Sequence, residues 1–418
     1  MTIKELYLLY KKTSLVDTDT RSIRKNSIFF ALKGDNFNGN RFAEEALKKG
    51  ASYAIIDEKI YKTNSQIILV ADTLKTLQEL AKYHREQLEI PIISLTGSNG
   101  KTTSKELLNA VLSSKFRTTA THGNLNNHIG VPLTLLSMTP KTEIGIVEMG
   151  ANHIHEIKAL CDIAKPNFGY ITNFGKAHLE GFGSIEGVIK GKTELYDYLR
   201  NNSGIAFINN HDFLQKKQSK GINTINFHSS LKYLGANPFV NLEFDNSIIQ
   251  SQLIGKYNYD NIAAAISIGH FFKIESTNIK KVIENYIPKN NRSQIIEKNS
   301  NKIILDAYNA NPSSMKVALE NFNEIDSNSK LVILGDMFEL GNLSAIEHQS
   351  ITDLTDSMDI EKIFLIGSNF SKTITKKASK FEGFSDFIKT VNLKDFKNYT
   401  ILIKGSRGMA LEQLIDYI

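Results

Sequence analysis

Short apolar strands and amphipathic helices alternate along almost the whole chain. In the first 85 residues, strands are predicted at 27–32, 53–56 and 67–70, and helices at 41–49 and 73–88. The strands are β-branched or aromatic runs, and the helices carry apolar residues at three- and four-residue spacing. This pattern predicts a small α/β domain at residues 1–85.

The same alternation continues to the end of the chain. Further strands are predicted at 90–95, 143–150, 168–173, 302–305, 331–334, 363–366 and 400–403. Strand–helix alternation is typical of parallel sheets covered by helices. The sequence therefore predicts three α/β domains: the small one, a central and mostly parallel sheet at 86–290, and a Rossmann-like domain at 291–418.

One segment between a predicted strand and a predicted helix carries a phosphate-binding pattern. It consists of Thr96, Gly97, Ser98, Asn99, Gly100, Lys101, Thr102 and Thr103. Glycines let backbone N–H groups approach phosphate oxygens, and a helix N-terminus adds partial positive charge. Lys101 is expected to reach the β- and γ-phosphates, and the Thr102 hydroxyl to bind magnesium. Leu95 replaces the motif's usual first glycine, so the segment could instead be a glycine turn that caps a helix. The strand before it and the helix after it favour a nucleotide phosphate site.

Two later loops supply candidate metal ligands. Glu148 ends an apolar strand, and an acid at the carboxyl end of a strand beside a phosphate loop is the expected position of a magnesium ligand. A solvent-exposed strand-end acid is the alternative, and the metal role is favoured. His178 follows the strand at 168–173 and is, by itself, equally consistent with an ordinary loop histidine.

Lys192 lies on the apolar stripe of a predicted helix. The stripe is formed by Ile185, Ile189, Tyr196 and Leu199, whereas Gly187, Lys190, Glu194 and Asp197 are placed on the polar side. A lysine in such a position extends to solvent, holds phosphate as an ammonium, or takes up CO2 as a neutral amine to become a carbamate. A carbamate is an oxygen donor suited to magnesium. The spacing does not choose between these roles.

Two further polar segments have competing interpretations. Asn258 and Asn261 are one turn apart near a predicted helix start; both amides could face one ligand, but helix capping is the preferred interpretation from the residues alone. The loop at 33–40, which includes Lys33 and Gly34, is either a polar turn or a ligand contact.

Composition narrows the class of protein. The 418 residues are 41% hydrophobic and 22% charged, which is ordinary for a globular protein. The net charge of +6 comes from 50 basic and 44 acidic residues that are scattered, so no nucleic-acid surface is predicted. A single cysteine excludes an intrachain disulfide, and neither a signal segment nor a membrane span is evident. We expect a cytoplasmic protein.

Several motifs taken together resemble the Mur ligases of peptidoglycan synthesis. They are the phosphate loop, Glu148-Met149-Gly150-Ala151, the asparagine-rich segment at 123–127 and Tyr308-Asn309-Ala310-Asn311-Pro312. Segments 334–341 and 404–408 resemble the branch of the family that adds D-alanyl-D-alanine to UDP-N-acetylmuramoyl-tripeptide. The resemblance covers all three predicted domains.

The resemblance implies ATP and Mg²⁺ as cofactors and gives roles to individual residues. Lys101, His178 and Lys192 would be catalytic. Thr102 and Glu148 would bind one Mg²⁺; His178 and a carbamylated Lys192 would serve the second. ATP would contact residues 97–103 together with Asn258, Asn261, Arg292 and Asp306. The substrates would contact Thr20, Arg21, Lys33, Gly34, Asn124, Asn126, Asn127, Asn309, Asn311, Lys404 and Arg407.

The sequence departs from the family pattern at three positions. Tyr257 replaces a usual histidine, Thr193 a usual glycine and Asn38 a usual aspartate. None of these changes removes an implied catalytic group. Lys192 still matches the modified lysine of the family, because residues 192–196 are similar to Lys-Gly-Glu-(Leu/Ile)-Phe.

The chemistry implied is ligation through an acyl phosphate, in which the tripeptide carboxylate attacks the γ-phosphate of ATP and the dipeptide amine then displaces phosphate. The third domain is expected to close over ATP about a hinge at 288–292, and a monomer is expected.

Two alternatives stay open: another amide ligase of this fold, such as an amino-acid-adding Mur ligase or folylpolyglutamate synthetase, and a regulator that only hydrolyses ATP. The Asp-Asn-Pro-Arg string of the diaminopimelate-adding enzyme is absent. Whether the tripeptide carries diaminopimelate or lysine stays open.

Overall fold

The computed structural model describes residues 1–288 and 291–418, and it has the predicted α/β class with three domains. The N-terminal sheet pairs its strands in parallel in the order β1-β2-β5-β6, beside a β3–β4 hairpin. Its strands are β1 (Val16–Asp17), β2 (Ile28–Phe30), β3 (Lys33–Gly34), β4 (Phe37–Asn38), β5 (Tyr53–Ile56) and β6 (Ile67–Leu69). Its helices are α1 (Ile3–Thr13), α2 (Ala43–Lys48) and α3 (Thr73–Gln87).

The central domain is built on a parallel sheet of strand order β12-β11-β10-β7-β9-β8, followed by an antiparallel sheet of β13, β14 and β15. The strands are β7 (Ile92–Thr96), β8 (Thr118–Ala120), β9 (Ile144–Glu148), β10 (Phe168–Ile171), β11 (Ile205–Ile208), β12 (Asn223–Asn226), β13 (Lys232–Ala236), β14 (Phe239–Phe244) and β15 (Ser247–Ile254). The helices are α4 (Lys101–Ser113), α5 (Gly130–Leu136), α6 (Glu156–Ala164), α7 (Leu179–Phe182), α8 (Ile185–Asn201), α9 (Phe213–Gln218), α10 (Tyr257–Phe271) and α11 (Ser276–Asn285).

The main sheet of this domain is parallel as predicted, and the antiparallel sheet is an addition that the predicted strand–helix alternation did not include. Strands β14 and β15 are joined at Asp245 and Asn246, both of which have positive φ (46° and 58°). Two adjacent residues of this kind form the tight hairpin turn that matches the twist of antiparallel strands. The burial of β14 alternates residue by residue, as in a sheet with one face on the core.

The C-terminal sheet has the strand order β16-β17-β21-β18-β19-β20 and is parallel except for β16. Its strands are β16 (Gln294–Lys298), β17 (Asn301–Asp306), β18 (Lys330–Gly335), β19 (Lys362–Ile366), β20 (Ser379–Phe381) and β21 (Thr400–Lys404). Its helices are α12 (Pro312–Glu324), α13 (Ser344–Ser357) and α14 (Phe384–Thr390).

The core connects the domains. One cluster of buried apolar side chains contains residues of all three sheets or their helices, including Leu6, Val147 and Leu334. The single cysteine, Cys161, is buried on α6 with its Sγ 3.8 Å from Sδ of Met149, and burial raises the pKa of its thiol well above the usual value. Within the described ranges, no helix is long and apolar enough to cross a membrane.

The predicted domain boundaries at residues 85 and 290 stay predictions. The boundary at 290 and the middle of the predicted hinge at 288–292 lie outside the described residues.

Candidate active site

A cavity of about 1030 Å³ opens where the carboxyl ends of the central strands face the C-terminal domain. The phosphate loop, the end of β9 and the start of α10 form its central-domain wall. Residues around β17, the start of α12 and the end of β21 form the opposite wall. Ligands of open α/β sheets bind at this end of the strands, so the position alone favours a substrate site.

Glycine backbone conformations and contacts with neighbouring elements define the shape of the phosphate loop. Gly97 and Gly100 have φ of +144° and +77°, and Gly100 is the residue preceding α4. A Cβ at Gly100 would come within 2.5 Å of Oδ1 of Asn261. The neighbouring strand end stabilises the loop, because the Asn99 N–H donates to Oδ1 of Asn173 at 3.0 Å. A compact glycine loop at a helix N-terminus fits the phosphates of a nucleotide.

Lys101 folds back onto this loop. Its Nζ donates to the carbonyls of Gly97 (2.6 Å) and Ser98 (3.3 Å). Burial lowers the pKa of Lys101 to about 8; the carboxylate of Glu148 opposes this shift and the guanidinium of Arg292 adds to it. The ammonium therefore lies at the loop that would receive phosphate, with backbone carbonyls as its hydrogen-bond acceptors.

Thr102 and Glu148 form a buried pair of oxygen donors. The Thr102 hydroxyl donates to Oε2 of Glu148 at 2.9 Å, and Nδ2 of Asn126 donates to Oε1 at 2.8 Å. Magnesium binds through one or two protein oxygens while water and substrate phosphates complete its shell. This pair fits that requirement. Among the described residues, no cluster of three His, Cys, Asp or Glu side chains suited to a metal occurs.

The two residues expected at a second magnesium lie in different environments. His178 lines the cavity and its Nδ1 contacts the carboxylate of Glu339. Lys192 is fully buried behind the cavity wall, where its Nζ donates to the carbonyl of Ala151 at 3.0 Å. Desolvation, with a further effect of Lys101, lowers the pKa of Lys192 well below its usual value. The neutral amine is thereby favoured.

The burial of Lys192 agrees with its placement on the apolar stripe, of which Ile185 and Ile189 are partly buried members. One detail of the predicted helix is wrong. Glu194, predicted on the polar side, is buried, since its carboxylate accepts the backbone N–H of His155 (2.6 Å) and Lys158 (2.9 Å) at the start of α6. A carboxylate at a helix N-terminus satisfies donors that the helix leaves unpaired.

Asn258 and Asn261 do not cap α10, so the preferred interpretation of these residues from the sequence is wrong. Both are buried at the cavity, where Nδ2 of Asn261 donates to Oδ1 of Asn258 at 2.9 Å. The hydroxyl of Ser104 on α4 donates to Oδ1 of Asn261 at 2.9 Å. The two amides therefore join α10 to the phosphate-loop helix.

The C-terminal wall contains an ion pair and a stacked cation. Nζ of Lys404 donates to Oδ2 of Asp306 at 2.5 Å, and the Arg292 guanidinium lies 4.0 Å from the centre of the Tyr308 ring. Arg407 lies on the same ring, at 5.3 Å, but does not line the cavity.

Asn309 and Asn311 also belong to this wall. The side chain of Asn311 accepts the Ser314 N–H at 2.9 Å and so caps α12, and its Nδ2 donates to Oδ1 of Asn99 at 2.8 Å. The Asn311 side chain thus caps α12 and also links the C-terminal wall of the cavity to the phosphate loop.

The remaining predicted substrate residues divide into two groups. Asn124, Asn126 and Asn127 line the cavity. Thr20, Arg21, Lys33 and Gly34 lie in the N-terminal domain away from it; Arg21 pairs with Asp19 at 2.6 Å and Lys33 with Asp57 at 3.1 Å. The individual roles of all predicted site residues stay predictions.

Sequence reasoning missed Asn173 and Glu339. Asn173 comes just after β10, the strand beside the phosphate-loop strand, and this strand-end position was the signal that could have found it. The rule that selected Glu148 considered only acidic residues. Glu339 follows no strand directly and reaches the site from another domain, which leaves no local signal for its contact with His178.

Comparison with known proteins gives the family. The model of the Mur ligase middle domain matches residues 95–269, that of the glutamate ligase domain matches 291–407, and that of the Mur ligase family catalytic domain matches 12–85. The chain is 33% identical to the UDP-N-acetylmuramoyl-tripeptide–D-alanyl-D-alanine ligase of Bacillus subtilis, over 97% of this chain and 93% of that protein.

Solved structures agree with this result. A crystal structure of MurF from Acinetobacter baumannii superposes with a TM-score of 0.85 at 28% identity, covering 98% of this chain and 97% of that one. The MurF ligase of Thermotoga maritima in complex with ADP gives a TM-score of 0.83 at 26% identity, covering 97% of each chain. With family models along most of its length, full-length relatives and the same architecture, this chain belongs to the Mur ligase family.

Proposed function

We propose that this protein joins D-alanyl-D-alanine to UDP-N-acetylmuramoyl-tripeptide and converts ATP to ADP and phosphate. The observation that carries the proposal is the cavity between the phosphate loop and the C-terminal domain. The full-length relatives of this chain are named UDP-N-acetylmuramoyl-tripeptide–D-alanyl-D-alanine ligase. A site with walls from two domains suits a reaction in which a carboxylate and an amine must be brought together.

The phosphate loop supplies most of the electrostatic stabilisation in this proposal. When ATP binds, Lys101 leaves the carbonyls of Gly97 and Ser98 and pairs with the transferring phosphoryl group. Thr102 and Glu148 would hold one Mg²⁺ and His178 would serve a second, and the bound ions would offset the charge on the phosphoryl oxygens. The tripeptide carboxylate becomes an acyl phosphate, which the dipeptide amine attacks with loss of phosphate. No side-chain nucleophile is required.

Lys192 is proposed to act as a carbamate. The fully buried amine has a carbonyl as its hydrogen-bond acceptor and a strongly lowered pKa, and both features favour the neutral form that reacts with CO2. The product carries a negative oxygen suited to Mg²⁺.

An assay of phosphate release tests the function. We expect release only when ATP, the UDP-linked tripeptide and D-alanyl-D-alanine are all present; separate reactions with the diaminopimelate and lysine tripeptides identify the acceptor. Release with ATP alone would instead indicate an ATP-hydrolysing regulator. Release with a single amino acid or a folate in place of these substrates would indicate another amide ligase of this fold. A cytoplasmic monomer is part of the proposal.

A further inference from the structure

Two residues with left-handed backbone conformations meet where the central and C-terminal domains face each other. His178 has φ of 52° and Glu339 has φ of 60°. Histidine adopts such values more often than most residues, but glutamate seldom does, and residues with strained backbone conformations cluster at functional sites. Here the imidazole Nδ1 of His178 contacts the carboxylate of Glu339.

Both residues are presented by anchored segments. His178 immediately precedes α7. The two residues before Glu339 are tied down through their backbone, since the Met337 N–H donates to Nε2 of His348 (3.0 Å) and the Phe338 N–H to Oγ of Ser406 (3.0 Å). The Glu180 N–H donates to the carbonyl of Glu339 at 3.2 Å, so the backbones meet as well as the side chains.

We propose that Glu339 is a positioning residue for His178, which makes the second magnesium site depend on docking of the C-terminal domain. The inference rests on the proposed function, in which His178 serves that metal. A metal-binding histidine usually gives one ring nitrogen to a carboxylate, which fixes the orientation of the ring and leaves the other nitrogen for the ion. The Glu339 carboxylate lies against Nδ1, which has no hydrogen-bond partner elsewhere in the described residues, and so Nε2 is the nitrogen left for the ion.

The contact differs from an ordinary ion pair between the domains. Such a pair is present nearby, between Nζ of Lys176 and the carboxylate of Glu347 at 2.6 Å. It joins the same two domains but touches neither His178 nor the Thr102–Glu148 pair. Glu347 is therefore a matched control: removing its charge weakens docking without releasing the histidine.

The test measures metal binding to the full chain with Mn²⁺ as the probe, by electron paramagnetic resonance in the presence of ADP. Two Mn²⁺ ions are expected to bind, one at each proposed magnesium site. Glu339→Gln should lower the affinity for the more weakly bound Mn²⁺ about 10- to 100-fold, which is the range for loss of a carboxylate that orients a metal-binding histidine. Glu347→Gln should stay within about twofold of the wild type. In the His178→Ala protein, adding Glu339→Gln should cause no further loss. If Glu339→Gln fails to fold, Glu339→Asp, whose carboxylate is one methylene shorter, takes its place.

Three results would overturn the inference: unchanged Mn²⁺ affinity in Glu339→Gln, an equal loss in Glu347→Gln, or additive losses in the double variant. Failure of the proposed function is seen separately, as a wild-type protein that does not ligate the dipeptide. The Mn²⁺ affinities would still decide whether Glu339 positions His178.

Discussion

Replacing Lys101 with methionine should make the protein more stable and nearly inactive. Methionine roughly keeps the length of the side chain and removes the ammonium, whose hydrogen-bond acceptors are the backbone carbonyls of Gly97 and Ser98. Loss of this cation from the transferring phosphoryl group should lower turnover at least ~100-fold, about 3 kcal/mol of transition-state stabilisation.

The gain in stability follows from the lowered pKa. A fall from 10.5 to about 8 corresponds to at most about 3.4 kcal/mol at 1.36 kcal/mol per pH unit. Because Lys101 is partly exposed, solvent screening reduces this figure, and we expect Lys101→Met to raise the free energy of unfolding by about 1–2 kcal/mol at pH 7. Such an exchange of stability for activity is common at functional sites.

The pH dependence identifies the cause. Below pH 8 the lysine is protonated in both the folded and the unfolded chain, so the full desolvation penalty applies. Between pH 8 and 10.5 the folded protein releases the proton first, the penalty shrinks, and the advantage of Lys101→Met should fade. Urea unfolding at pH 7 and pH 9.5 measures the free energies of unfolding of wild type and Lys101→Met. Lys75 is exposed, so Lys75→Met is a control expected to change stability by less than ~0.5 kcal/mol. Equal stability of Lys101→Met and wild type at pH 7 would refute the desolvation argument, and near-normal ligation would refute the assignment of the ATP site.

Substitutions at three other residues test separate features. Lys192→Ala should be inactive and partly rescued by acetate, whereas Lys192→Arg should stay inactive because guanidinium cannot form a carbamate; full activity of Lys192→Arg in the ligation assay would end the carbamate proposal. Gly100→Ala should lower the melting temperature and weaken ATP binding at least ~10-fold, since its φ of +77° and the nearby Asn261 leave no room for a methyl group; ATP titration by calorimetry that gave wild-type affinity would contradict this. Asn311→Ala should lower the free energy of unfolding by about 1 kcal/mol through loss of the α12 cap, which urea unfolding measures, and no change would show that the cap is dispensable.

The parts of the site that could be predicted are those encoded locally. The phosphate loop needed only a glycine turn between a strand and a helix, and the burial of Lys192 needed only the period of one helix. The role of Lys192 in the site came from the family resemblance alone. Glu194 was misplaced because its acceptor role depends on N–H groups of α6, about 40 positions earlier in the chain. Helical periodicity describes which face a residue is on and carries no information about donors on another element.

The same limit explains the errors elsewhere. The capping role preferred for Asn258 and Asn261 assumed that their nearest partners were in their own helix, whereas Asn261 pairs with Ser104 of α4. The contact of Glu339 with His178 joins the central and C-terminal domains and depends on how these two domains pack together. The β14–β15 hairpin is different, because its signal was local: Asp245 and Asn246 lie between two segments of alternating polarity and are typical hairpin-turn residues. The prediction of strand–helix alternation overlooked this signal.

The single, buried thiol of Cys161 makes this chain a convenient starting point for measuring domain movement by fluorescence. Burial and a raised pKa keep the thiolate scarce, and thiolate is the species that reacts with maleimide dyes. Cysteines introduced at two exposed positions, one on each side of the cavity, would therefore carry a donor and an acceptor dye without any need to delete a native residue. Energy transfer between them would follow the approach of the C-terminal domain in single molecules as nucleotide and peptide arrive.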